Sequence, residues 1–233
     1  YTENGYRDDT IIVELEQQRM YDSDVFIAYV KIATPSQLRT AVAGQKISSS
    51  STSQTTTISK NYNGIVAING DYFTKTKAGY IVRMGETYRE KTSQNMDLLL
   101  IDELGDFHIY LHGHDVQENG VASFLSEHEI INGFFFGPAL VVDGEVQEIP
   151  ENYQFDPHQK NPRAGIAQLG TLTYALVVVN GRTDQSAGVT FAEFADIMAQ
   201  IGARQAYNLD GGNSATLAFN GEVYNDKPQA ERS

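Results

Sequence analysis

The chain has no cysteine. That absence removes thiol nucleophiles, cysteine-ligated zinc and disulfide staples together. Basic residues are also scarce: 17 Lys and Arg stand against 30 Asp and Glu, a formal net charge of −13. Phosphate backbones and anionic membranes require a basic face, so duplex nucleic acid and such membranes are poor partners. A pocket for one or two phosphates needs only a few local donors and stays open. No apolar run approaches the roughly 18 residues of a membrane span. There is no Walker A loop, no Gly-x-Gly-x-x-Gly after a strand and no Gly-x-Ser-x-Gly elbow, which leaves the nucleotide and serine-hydrolase readings without a motif. Tyr1 opens the sequence in place of an initiator Met. We read it as a processed or trimmed start, with any signal peptide or anchor upstream.

What is present suits a folded domain. Of 233 residues 41% are hydrophobic, enough to bury a core without a staple. Residues 1–24 read as an N-terminal extension or strand and 25–233 as a single domain. Val25–Ile32 is β-branched and aromatic, hence a strand. Pro35–Val42 suggests one or two helical turns, and the Ser, Thr and Gln of 48–57 a solvated loop. Ile65–Ile68 fits a short, fully buried strand. Further strands are expected at Tyr80–Met84, Asp97–Ile101, Phe107–Leu111 and, as one piece, Phe134–Val142. Asp143-Gly144 then predicts a type I′ turn into Glu145–Ile149. A second hairpin joins Ala164–Gln168 to Leu172–Val179. Thr190 and Glu193 form a capping box before Phe191, Phe194, Ala195, Met198 and Ile201, whose spacing is that of an amphipathic helix ending at Gly202. Tyr207–Leu209 is a strand, and Asn220-Gly221 turns a last hairpin between Ala215–Phe219 and Glu222–Tyr224. The class is α+β: a single domain with a large mixed, strongly twisted β-sheet flanked by a few helices.

Three apolar strands end abruptly in small polar residues: Asn69-Gly70-Asp71, Asn180-Gly181-Arg182 and Asn208-Leu209-Asp210-Gly211-Gly212-Asn213-Ser214. Strand ends of this kind are where a rigid sheet presents functional groups. Glycine admits close ligand approach, and Gly211-Gly212 can turn successive amides toward an anion. Asn161-Pro162-Arg163 is a fourth polar entry. Arg163 and Arg182 offer the guanidinium fork that suits phosphate or carboxylate, or else a structural salt bridge. His112-Gly113-His114-Asp115 lacks metal-site spacing and reads as a solvated loop.

In their order along the chain, Asn69-Gly70-Asp71-Tyr72-Phe73, Gly137-Pro138-Ala139-Leu140, Asn161-Pro162-Arg163-Ala164-Gly165-Ile166, Val179-Asn180-Gly181-Arg182 and Asn208–Ser214 resemble the motifs of the phosphodiester glycosidase family, including bacterial members described as exopolysaccharide-related. The resemblance spans about residues 25–225. It implies cleavage between the anomeric carbon of a sugar, N-acetylglucosamine or a relative, and a phosphodiester. On it, Asp71, Asp210 and Arg182 are the expected catalytic residues. Asn69, Gly70, Arg163, Asn208, Gly211, Gly212, Asn213 and Ser214 are expected to bind substrate. Tyr72 could wall the sugar, while Phe73 suits the core. A phosphodiester leaves as an anion, so cationic and N–H donors matter more than a strong acid. No cofactor is required, although the two aspartates could accept calcium or magnesium. The implied partner is a sugar phosphate or polysaccharide of the cell envelope, and the implied location is extracytoplasmic, secreted or anchored through an N-terminal segment. The sequence carries no signal for oligomeric state. Two other readings remain: a non-catalytic carbohydrate-binding protein on the same scaffold, and a metal-dependent phosphoesterase using Asp71 and Asp210 as ligands.

Overall fold

Alternation decides the start of the chain. Strand β1 (Gly5–Arg7) pairs with β2 (Ile11–Met20), in which Val13 and Leu15 point inward while Glu14 and Glu16 face water. β2 pairs along its whole length with β3 (Ser23–Ile32). The computed structural model describes residues 1–45, 52–72, 79–91, 96–111 and 118–226. Phe73 and His112–Asp115 therefore lie outside the described residues.

Helix α1 (Thr55–Asn61) precedes β4 (Val66–Ile68). There follow β5 (Gly79–Arg83), β6 (Glu86–Lys91), β7 (Leu98–Asp102), β8 (Phe107–Tyr110), helix α2 (Glu118–Glu127) and β9 (Ile130–Phe135). β10 (Ala139–Val142) and β11 (Glu145–Val146) form a hairpin, as do β12 (Arg163–Gly170) and β13 (Thr173–Val179). Helix α3 (Phe191–Gln200) leads to β14 (Gln205–Leu209), β15 (Leu217–Phe219) and β16 (Glu222–Val223). The strands make three sheets. The largest runs β1-β2-β3-β13-β12-β14-β10-β11, a second β6-β5-β9-β7-β8, and a third β16-β15-β4. The chain is an α+β domain, as expected. The large sheet is antiparallel at every described pairing, however, and not mixed: β1–β2, β2–β3, β10–β11 and β12–β13 are neighbours in sequence, and β3–β13, β12–β14 and β10–β14, which join distant strands, run antiparallel too.

The expected capping box at α3 is present, with Thr190 Oγ1 accepting from Glu193 N and Glu193 Oε2 accepting from Thr190 N. Both turn pairs, Asp143-Gly144 and Asn220-Gly221, have positive φ as type I′ requires. Three local expectations change. Thr55–Asn61 is a helix whose buried face is polar, Thr55 and Ser59, so composition alone disguised it as a loop. Ile65–Ile68 is half-buried, because one side of β4 faces a cavity. Phe134–Val142 is two strands, since Gly137-Pro138 breaks the run and passes the chain from the five-stranded sheet to the large one.

Two faces of the large sheet bury different partners. Ile27, Val177 and Val179 meet α3 through Phe194, Ile197 and Met198. Gly165 permits this approach, for a Cβ there would lie 2.8 Å from Met198 Cε. The opposite face packs Ile166, Tyr174 and Tyr207 on Leu99, Ile101 and Phe134 of the five-stranded sheet. Beside that contact Val178 and Phe26 pack on Leu217 and Ala215 around the small sheet. Side chains on the far face of the five-stranded sheet, Leu98 and Leu100, cover α2 at Val121 and Phe124.

Candidate active site

The small and five-stranded sheets share one face of the large sheet but leave a gap between them. The result is a cavity of about 1160 Å³ floored by Val30, Ile166 and Leu176 and walled by Ile65–Ile68 on one side and Ile101 and Phe134 on the other. Asn69, Gly70, Asp71, Tyr72, Arg83, Asn132, Asp210 and Ser214 supply its polar lining.

Two strand ends from different sheets are stitched together at this point. Asn69, at the end of β4, donates from Nδ2 to the Asp210 carbonyl at 2.6 Å and accepts at Oδ1 from Thr216 N at 3.0 Å. Asp210 N donates to the Gly70 carbonyl at 3.1 Å. Asn69 is thereby buried as a connector, and the stitch sets Asp71 and Asp210 close enough that the charge of one acts on the other. The Asp71 side chain is 1% exposed and its Oδ1 accepts from Arg83 Nη2 at 2.5 Å. Its Oδ2 is buried with no hydrogen-bond partner. Arg83 is fixed by donating to the carbonyls of Val82 and Gly133 and lies 4.2 Å over the Phe134 ring. Burial pushes the Asp210 carboxyl above its ordinary range; Asp71 pushes the same way, while hydrogen bonds from the Ser214 side chain and the Gly211 amide pull it down. The pair thus consists of one carboxylate already matched by a guanidinium and one that holds its proton more tightly than usual.

The other predicted residues fall beside or behind this pair. Arg182 is exposed and sits in the left-handed region at φ 61°. It donates from Nε and Nη2 to Asn161 Oδ1, at 3.1 and 2.6 Å, and from Nη1 to Asn213 Oδ1 at 3.5 Å. A Cβ on Gly212 would lie 3.4 Å from Arg182 Nη1, so the guanidinium rests on the turn that follows Asp210. Arg163 is buried; Nε donates to the Val189 carbonyl and Nη2 to that of Gln159, and the group lies 3.8 Å over the Phe191 ring. Burial, then the charge of Arg182, pulls it down to about 10. Its described donors face the protein, an internal brace behind Arg182. Asn208 is buried with Nδ2 on the Gly137 carbonyl and Oδ1 without a partner. The Gly212 amide donates to the Pro162 carbonyl at 2.9 Å, so it is turned inward and not toward an anion. Gly211 has no room for a side chain, since a Cβ would lie 2.6 Å from the Pro162 oxygen.

Sequence reasoning overlooked Arg83 and Asn132. Arg83 had a signal: a cation closing the apolar run Tyr80-Ile81-Val82 must find a buried partner. Asn132, 1% exposed, accepts at Oδ1 from Thr40 Oγ1 and Met84 N and keeps Nδ2 buried without a partner. Asp71 and Asp210 could give oxygen ligands to a hard cation, but Arg83 already supplies positive charge to Asp71.

A model of the phosphodiester glycosidase family matches residues 62–233. The crystal structure of a hypothetical protein from Synechocystis is similar at a TM-score of 0.73 and 17% identity, covering 96% of this chain and 61% of that one. The catalytic domain of zebrafish N-acetylglucosamine-1-phosphodiester alpha-N-acetylglucosaminidase, auto-inhibited by its pro-peptide, is similar at a TM-score of 0.70 and 18% identity, covering 99% and 82%. These identities show a shared fold. The SPbeta prophage-derived uncharacterized protein YomE of Bacillus subtilis strain 168 is 32% identical over 95 residues, which span 41% of this chain and 15% of that protein.

Proposed function

The chain belongs to the phosphodiester glycosidase family, and from that premise we propose that it hydrolyses a sugar-1-phosphodiester of the N-acetylglucosamine type at the anomeric carbon. The observation that carries the proposal is the shared cavity of Asp71 and Asp210, with the latter's carboxyl pushed up by burial and by its neighbour. Pairs of carboxyls in unequal environments divide acid–base labour. Asp71, paired with Arg83, faces the anomeric carbon and stabilises positive charge developing there. The bond from that carbon to the phosphate oxygen breaks, and its electron pair leaves with the phosphate. Asp210 takes a proton from the water that adds to the same carbon, giving free sugar and a phosphomonoester. Arg182, held by Asn161 and beside Asn213, meets the phosphate from the neighbouring turn. Tyr72, 45% exposed at the cavity, offers a ring face to the sugar. Cell-envelope or exopolysaccharide material as substrate, an extracytoplasmic setting and independence from any cofactor belong to the same proposal and rest on the family.

The test is hydrolysis in ¹⁸O-labelled water of an N-acetylglucosamine-1-phosphodiester beside simple phosphodiesters. The expected products are free N-acetylglucosamine labelled at its anomeric hydroxyl and an unlabelled phosphomonoester. Label in the phosphate, or turnover of simple phosphodiesters, would assign a phosphoesterase instead. Binding without turnover would leave a carbohydrate-binding module. Turnover is expected to survive chelation; loss restored by calcium or magnesium would make the aspartates metal ligands.

A further inference from the structure

A second cluster of chemistry-bearing side chains lies on the five-stranded sheet, on the face away from the cavity. Leu99 and Ile101 of β7 and Phe107 and Ile109 of β8 point to the large sheet, whereas Leu98, Leu100 and Tyr110 pack with α2. Period-two alternation therefore puts Asp102 and His108 on the α2 face. His128, just beyond the last turn of α2, completes a trio whose ligand atoms all lie within 4.8 Å of one another.

The geometry points to a divalent-metal site, of the zinc class, built from Asp102, His108 and His128 with Glu103 or water in the fourth position. Asp102 Oδ2 is the shared corner, 2.8 Å from His108 Nε2 and 3.4 Å from His128 Nδ1. His128 Nδ1 also stands 3.7 Å from Glu103 Oε1. This nitrogen is buried and makes no hydrogen bond. Its 3.4 Å separation from Asp102 is close to the edge of a tetrahedral site, about 3.3 Å when metal–ligand bonds are about 2.0 Å. An Asp–His ion pair would need one imidazole; two converging on one carboxylate oxygen, with the second ring nitrogen unbonded, is the arrangement a cation would satisfy. The 2.8 Å contact has to open by roughly half an ångström to reach that edge.

The surroundings have the character of an outer shell. Asp102 is 2% exposed, and its Oδ1 accepts from the amides of Leu104 and Asp106, both at 2.9 Å, which fixes Oδ2 toward the rings. Phe124 of α2 packs on both imidazoles, with ring centroids 5.0 and 5.2 Å away. Glu103 is oriented by accepting from Glu129 N. The His side chains remain 31% and 27% exposed, so the fourth position opens to solvent. Imidazole with carboxylate suits zinc and its late first-row neighbours, while calcium and magnesium take oxygen alone. An ion here joins the β7–β8 hairpin to the end of α2 and clips that helix to the sheet. None of the three ligands lines the cavity, so the role is structural.

The metal-free full chain, titrated with zinc sulfate by calorimetry, should bind one ion per chain with a rise in melting temperature. His108→Gln and His128→Gln should each weaken binding at least tenfold and abolish the melting shift. Cobalt added in place of zinc should give the visible absorption of a four-coordinate site in the parent and lose it in His128→Gln. His128→Gln should keep turnover of the sugar phosphodiester at 25 °C. Absence of binding, or zinc affinity that survives both His substitutions, would overturn the site. Turnover lost in His128→Gln while circular dichroism is unchanged would overturn its structural role.

Discussion

Replacing Asp210 by Asn separates a catalytic carboxyl from a scaffolding one. The side chain is nearly isosteric and keeps an oxygen to accept from Ser214 and the Gly211 amide, while the backbone stitch to Asn69 and Gly70 does not involve the carboxyl. If Asp210 is the general base, its loss removes the roughly 10²–10⁴-fold that such a group contributes, about 2.7–5.5 kcal/mol in the barrier. Stability moves the other way. Because burial raises the folded-state value above the unfolded value of about 3.9, the folded chain holds this proton more tightly. The contribution to stability is therefore complete below that unfolded value and is lost as pH rises through the raised folded one. Above the raised folded value the parent carries a partly buried carboxylate that disfavours folding, and Asn removes it. The variant should melt at or above the parent temperature at pH 7, and its advantage should shrink as the solution is acidified. Release of free sugar, with scanning calorimetry at pH 4 and pH 7, reads both quantities. Turnover within tenfold of the parent would refute the base assignment. A melting temperature at pH 7 lower by about 4 °C or more, over 1 kcal/mol for a chain of this size, would show that the carboxyl holds the fold together.

Other consequences follow from the same geometry. Asp71→Asn removes the like charge beside Asp210, so the acidic limb of kcat/KM, measured on residual activity, should shift to lower pH. Arg83→Met leaves Asp71 buried without its cation and should cost about 3–5 kcal/mol in urea unfolding; a loss below about 1 kcal/mol would mean that the pair is not buried in solution. Arg182→Met removes a charge-assisted phosphate donor and should lower kcat/KM by roughly 10–100-fold through KM, with competitive inhibition by inorganic phosphate weakened in parallel. Gly211→Ala forces a methyl against the Pro162 oxygen and should lower both melting temperature and turnover by displacing the Asp210 turn.

Signals confined to a few neighbouring residues were legible. Thr190 with Glu193, and the turn pairs Asp143-Gly144 and Asn220-Gly221, act through backbone geometry that the sequence states directly. Asp71 and Asp210 stood out because each ends an apolar strand. The Asp71–Arg83 pairing was not legible, for it joins the end of β4 to β5 of another sheet, and no local pattern announces a partner. Phe134–Val142 read as one strand because an apolar run says that a segment is buried and not against which sheet. The alcohols facing inward from α1 gave no hydrophobic period to detect. Gly212 suggested an amide offered to an anion, but whether an N–H points out or in depends on a carbonyl from Pro162, about fifty residues away in the sequence.

Three residues, Phe136, Gly137 and Pro138, separate strands that belong to different sheets, and the buried hydroxyl of Tyr207 braces that passage by donating toward the Asp97 and Phe134 carbonyls while accepting from Phe136 N. One wall of the groove, the five-stranded sheet, is thus fixed to the floor by a post on β14, the strand that Asp210 follows. Wall and carboxyl are therefore set by one short stretch of chain, in which Tyr207 and Asn208 hold the passage and Asp210 follows. A change in packing around Tyr207 moves the wall and Asp210 together.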